Sequence, residues 1–118
     1  MELEGKNFGQ PDEKLSFPLG EAALLKLQSG IVGKGVIQPG WRWSTHVKPI
    51  VKTEWCQETH IGYIISGRMA IRMKDGTERV FGPDEVHAIP PGHDGWVVGD
   101  EPLVSIDWSG VENFAQPQ

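Results

Sequence analysis

The stretch that decides the fold runs from Thr59 to Val98. It opens with Thr59-His60-Ile61-Gly62-Tyr63-Ile64-Ile65-Ser66, closed by Gly67. Met69-Ala70-Ile71-Arg72-Met73 follows, then the hairpin signal Asp75-Gly76 and Thr77-Glu78-Arg79-Val80-Phe81. Gly82-Pro83 turns the chain into Glu85-Val86-His87-Ala88-Ile89, and Pro90-Pro91-Gly92 turns it again into Trp96-Val97-Val98. Short apolar runs rich in β-branched and aromatic residues, each bounded by Gly, Pro or Asp-Gly, predict strands joined by tight turns.

The same pattern extends outward on both sides. Ile31 to Ile37 predicts a strand ending at Pro39-Gly40, and Leu103 to Trp108 predicts a last one. Trp41-Arg42-Trp43-Ser44-Thr45-His46 alternates large apolar and polar residues, which predicts a half-buried strand, and residues 47–55 read as a loop. Glu21 to Leu27 fits either two turns of helix or a strand. With 15 Gly and 9 Pro in 118 residues, turns recur too often for long helices. Eight to ten short strands in one domain of this length predict an all-β sandwich or closed barrel that hides its strand edges. Residues 1–16 read as a polar arm or an edge strand, 17–110 as the β-domain and 111–118 as a flexible tail.

Composition narrows the function classes. The net charge of −5 and the lack of a Lys/Arg cluster argue against nucleic acid, which proteins bind by neutralising phosphates. No apolar run approaches the roughly 20 residues of a membrane helix, and the first residues do not resemble a signal peptide. A single cysteine, Cys56, excludes an intrachain disulfide and suits a reducing compartment, so the expected location is cytoplasmic. One Cys and four His leave material for one metal site, or none.

The ordered turns resemble the two motifs of the cupin superfamily, whose fold is a jelly-roll barrel, the double-stranded β-helix. Gly62 to Arg68 looks like the end of the first motif, and Asp84 to Gly92 like the start of the second; Gly99-Asp100-Glu101-Pro102 resembles the turn that follows. The resemblance spans roughly residues 31–108. It implies a metal pocket inside the β-domain, a small organic ligand, and pairing of chains into a homodimer. The family's chemistries imply a metal-dependent, dioxygenase-like or isomerase-like enzyme; the alternative is a non-catalytic sensor or binding module that has lost the metal.

The ligand positions depart from the family's pattern. Counting back from Gly67 puts His60 at the family's Glu position and Cys56 at a His position, whereas counting forward from Gly40 lands on His46. The second-motif histidine falls two residues early, at His93, and Asp84 stands in place of the opening Gly. The candidate metal ligands are therefore His46, Cys56, His60 and His93, with both first-motif registers open. Imidazole and thiolate donors imply one divalent transition metal per chain: Zn, Fe, Ni or Cu.

On a straight strand the Cα atoms of Cys56 and His60 would lie about 13 Å apart, so a shared ion requires the chain to bend between them. Trp43, Tyr63 and Trp96 are candidates to line an aromatic pocket, and Arg42 to clamp a carboxylate. Asp94 and Asp107 are candidates to orient a ligating histidine. His87, beside Glu85 on a strand, reads as a solvated surface residue. Cys56 with a histidine could also form a nucleophilic dyad, but no motif supplies an oxyanion hole.

Overall fold

The computed structural model describes residues 2–109; the expected tail over 111–118 lies outside them. Nine strands form: β1 Glu13–Phe17, β2 Gly20–Leu27, β3 Gly30–Ile37, β4 His60–Ser66, β5 Arg68–Met73, β6 Glu78–Phe81, β7 Val86–Ile89, β8 His93–Val98 and β9 Leu103–Ser109. They make a six-stranded sheet in the order β1-β2-β3-β9-β4-β7 and a three-stranded sheet in the order β6-β5-β8, with every pairing antiparallel. The all-β jelly-roll arrangement is present, although the two sheets do not close into a continuous barrel.

Glu21 to Leu27 resolves as strand. Its pairing with β3 aligns Leu24 with Gly33 and Ala22 with Gly35, and Ala22, Leu24 and Leu25 are buried. Residues 13–17 pair with this strand as the outer edge of the sheet.

Between β3 and β4 the structure differs from the alternating strand expected over Trp41 to His46. Only an isolated bridge, Arg42 to Trp96, keeps strand pairing there. The chain then winds into two four-residue helical turns, α1 Trp43–His46 and α2 Lys48–Val51. Trp43, Val47 and Val51 are all buried at a spacing of four, the repeat of one helical face. Burying that face overrides the period-two pattern of the shorter stretch. The second turn ends on Lys52 in the left-handed region (φ 62°), and the chain returns extended toward β4.

The main core lies between the sheets and includes Trp41, Trp43, Val47, Ile64, Ile71, Phe81, Val97 and Leu103. The turns that carried the motif resemblance do specific work. Gly67 holds φ 79°, and a Cβ there would collide with the Pro102 carbonyl and lie 2.7 Å from Leu103 Cα. Asp84, at the position the second motif opens on glycine, also holds a left-handed φ of 70°, which Asp tolerates better than most residues. Its N–H donates to the Ile64 carbonyl at 2.9 Å, and its carboxylate accepts the Tyr63 hydroxyl.

Gly67→Ala combines a disfavoured φ with a backbone collision, and is expected to cost more than about 2 kcal/mol of stability. Urea unfolding measures it, and a midpoint equal to wild type would contradict this account of the turn.

Candidate metal centre

Cys56, His60 and His93 converge because one antiparallel register runs across a corner between the two sheets. Gly62 faces His87 and His60 faces Ile89 in the β4–β7 pair of the large sheet. The Pro90-Pro91-Gly92 turn then carries the second strand into β8 of the small sheet, with Gly92 at φ 93°. On the first strand the same register continues to Cys56, which bridges to His93. Cys56 N–H donates to the His93 carbonyl at 2.8 Å, and Gly92 N–H donates to the Cys56 carbonyl at 2.8 Å. The segment from Cys56 to His60 therefore passes from one sheet to the other, supplying the bend that a straight strand lacks.

Each of the three residues offers one ligand atom, and these atoms lie within 4.8 Å of one another. The Cys56 thiol sulfur is 3.8 Å from His60 Nε2. Around a tetrahedral ion with bonds of about 2.3 Å to sulfur and about 2.0 Å to nitrogen, a sulfur and a nitrogen donor sit about 3.5 Å apart, close to the Cys56–His60 spacing. The His60 and His93 rings meet edge to face, with centroids 5.2 Å apart. His93 Nδ1 lies 2.7 Å from the Pro90 carbonyl oxygen, which can only accept, so Nδ1 carries the proton and Nε2 keeps the lone pair a metal needs. This Cys/His/His group can hold a metal ion.

Burial sets the protonation of all three. It pushes the Cys56 thiol up to about 11, opposed by a backbone hydrogen bond at Glu58. It pushes His60 down to about 4, with the neighbouring His93 adding to the fall. His93 is lowered too, chiefly by burial, against the upward pull of the Pro90 carbonyl. Without metal, the centre at neutral pH is a thiol between two neutral imidazoles.

His46, the ligand of the alternative register, is placed elsewhere. It ends α1, and its Nδ1 accepts the Arg42 backbone N–H at 3.0 Å. Of the expected pocket residues, Trp43 lines the cavity between the sheets. Arg42 is not among the lining residues: its guanidinium stacks 4.3 Å over the Trp96 ring and pairs with Asp94 at 3.2 Å. Tyr63 and Trp96 do not line it either. Asp94 orients no histidine; it accepts the backbone N–H groups of Ser44 and Gly95 and so anchors α1 to β8.

His87, read as a surface residue, is 2% exposed. In β7 the side chains alternate outward at Val86 and Ala88 and inward at His87 and Ile89. The signal was present: a buried Ile89 ahead of the Pro90 turn places His87, two residues earlier, on the same inner face. His87 Nε2 lies 3.1 Å from Asp107 Oδ1, and Ser105 Oγ lies 3.2 Å from Asp107 Oδ2. Asp107 thus orients a histidine, though one outside the Cys/His/His group. Gly62 makes room for this pair, because a Cβ there would collide with Asp107 Oδ1 and lie 2.8 Å from His87 Nε2.

No protein-family model matches the chain, and no curated protein matches it. Solved structures do. A cupin-like protein from Thermotoga maritima superposes with a TM-score of 0.56 at 22% identity, over 80% of this chain and 70% of that one. CapF, a capsular polysaccharide assembling protein from Staphylococcus aureus, gives 0.60 at 21% identity over 86% of this chain and 29% of its own length. A structure reported for DMSP lyases gives 0.52 at 16% identity, over 78% of this chain and 48% of that one. The chain has the cupin fold, spanning under half of the latter two proteins.

Unfolded histidines take up protons near pH 6.5, whereas folded His60 holds out to about pH 4. Between those values the unfolded state binds more protons, so stability of the metal-free protein falls as pH drops through this window. Urea midpoints at pH 7.5 and 5 are expected to differ for wild type and to differ less for His60→Gln. Equal differences in the two proteins would contradict the burial of a neutral His60.

Proposed function

We propose that the chain is a metal-binding cupin whose Cys56, His60 and His93 hold one divalent transition ion beside a small-molecule cavity. The observation that carries this reading is the meeting of three soft or borderline donor atoms within 4.8 Å of one another, two of them on buried residues. Thiolate and imidazole favour Zn, Fe, Ni or Cu over Mg or Ca. Three protein ligands leave a coordination position open for a ligand from the cavity, the arrangement typical of zinc sites that act on substrates rather than brace a fold. Such an ion would polarise a carbonyl or activate a bound water.

The cavity has a volume of about 80 Å³ and is walled by Ile37, Trp43, Met69, Ile71 and Leu103 among others. Its apolar walls favour a small organic ligand. A lyase on the same fold is consistent with catalysis here, but one fold hosts many functions, so the ligand set carries the argument.

Protein purified without a His-tag is expected to hold close to one ion per chain, falling below about 0.3 in Cys56→Ser, His60→Ala or His93→Ala. Because the Cys56 thiol is protonated and both imidazoles are neutral, Zn²⁺ binding at pH 8 should release about one proton per ion from the thiol and up to about one more from a zinc-bound water. Calorimetry in buffers of different ionisation enthalpy reads that number. Wild-type protein that binds no transition ion, or variants that bind it as well as wild type, would overturn the reading.

We also infer a homodimer. The outer face of β4, β7 and β9 exposes Ile61, Ile65, Val86 and Trp108, of which Val86 is 65% and Trp108 52% exposed. A face of this kind, with β7 at the sheet edge, is served by pairing with a second copy. Sedimentation is expected to give about twice the 13.1 kDa chain mass. A monomer at micromolar concentration, or a dimer unaffected by Trp108→Lys, would contradict it.

A further inference from the structure

The cavity contains a second polar group that the metal reading does not use. His87, Ser105 and Asp107 line it together with Cys56, His60 and His93. A carboxylate can only accept, so His87 Nε2 carries a proton and donates it to Asp107 Oδ1, while Ser105 Oγ donates to Oδ2. Each oxygen accepts one of these two bonds, and the Asp107 side chain keeps 17% of its surface exposed. The other nitrogen of His87, Nδ1, is buried with no hydrogen-bond partner.

A core built only for stability would not carry this arrangement. Replacing both partners of an internal hydrogen bond by apolar side chains of similar shape is often neutral or stabilising, and an unpartnered buried nitrogen adds a desolvation cost. The pair moreover requires glycine at position 62 to make room for it. These costs are offset if Asp107 meets a ligand. Among the described residues no Lys or Arg lines the cavity, and Arg42 is held outside by Asp94 and Trp96. The walls thus offer a hydrogen-bond donor the Asp107 carboxylate, and offer a second carboxylate no Lys or Arg to neutralise it beside that like charge.

We propose that Asp107, backed by His87 and Ser105, is the specificity-determining residue of the cavity. It selects small ligands that bear a hydroxyl or ammonium donor in addition to the group that meets the metal. The room available corresponds to roughly five to eight heavy atoms, judged by the space one water occupies. The inference rests on the metal reading for the metal-binding group alone, not for the donor.

Four matched probes test it on the Zn²⁺-loaded protein: butanoate, 4-hydroxybutanoate, 4-aminobutanoate and succinate. All carry a carboxylate and differ at the other end in methyl, hydroxyl, ammonium or a second carboxylate. The hydroxyl and ammonium probes are expected to bind at least about tenfold tighter than butanoate, and succinate weaker than butanoate, as for a hydrogen bond to a charged acceptor.

In Asp107→Asn, which keeps the side-chain shape, the preference should shrink to within about threefold. Should that variant not fold, the Asp107 carboxyl ¹³C resonance of the wild type decides. It is expected to move with 4-aminobutanoate and to stay with butanoate. Equal affinities across the series, an Asn variant with the preference intact, a carboxyl resonance indifferent to 4-aminobutanoate, or no probe binding would each overturn the inference. If Zn²⁺ itself does not bind, the metal reading fails separately and n-butylamine binding to the metal-free protein settles the donor question. An approximately tenfold loss in Asp107→Asn supports the role of Asp107, and equal or absent binding overturns it.

Discussion

The structure of the pocket depends on one backbone register, the antiparallel run that aligns Gly62 with His87, His60 with Ile89 and Cys56 with His93. Its two strands leave the large sheet and join the small one at the Pro90-Pro91-Gly92 turn. Side chains on one face of a ladder alternate every second residue, so this register alone aims His87, His60 and Cys56 toward the interior. A slip by one residue would turn all three outward and put Val86 and Ile61 in their place. The hydrogen bonds between Cys56 and the Gly92-His93 backbone are therefore also what brings sulfur and imidazole together.

The interior is an apolar cavity with two polar stations. At one, a thiol and two imidazoles are held uncharged by burial, so the imidazoles keep lone pairs that could bind a metal and the thiol would have to release its proton to do so. At the other, Asp107 is held by His87 and Ser105. Charged residues expected near a ligand do other work. Arg42 and Asp94 join α1 to β8, so the cation that reads in sequence as a carboxylate clamp is spent on holding the short helical insert in place.

Much of the fold was legible because turn chemistry is local. Gly67, Asp75-Gly76, Gly82-Pro83 and Pro90-Pro91-Gly92 each mark a bend the chain makes, and the strands between them follow. The helical turns at Trp43–His46 and Lys48–Val51 were not legible from the short alternating stretch, since their reason is the buried face of Trp43, Val47 and Val51, which appears only over a longer window. The site was legible in part. Cys56, His60 and His93 were nameable from their distance to the motif glycines, whereas choosing between Cys56 and His46 depended on how the segment before β4 folds. His87 was missed because its neighbour Glu85 suggested solvent, although the strand's phase, set by Ile89, points it inward.

The central claim is that Cys56, His60 and His93 bind one ion together, and X-ray absorption at the metal edge of the zinc-loaded protein tests it most directly. The account predicts one sulfur at about 2.3 Å and two imidazole nitrogens at about 2.0–2.1 Å, with the sulfur contribution lost in Cys56→Ser. A first shell of nitrogen and oxygen alone in the wild-type protein would contradict it.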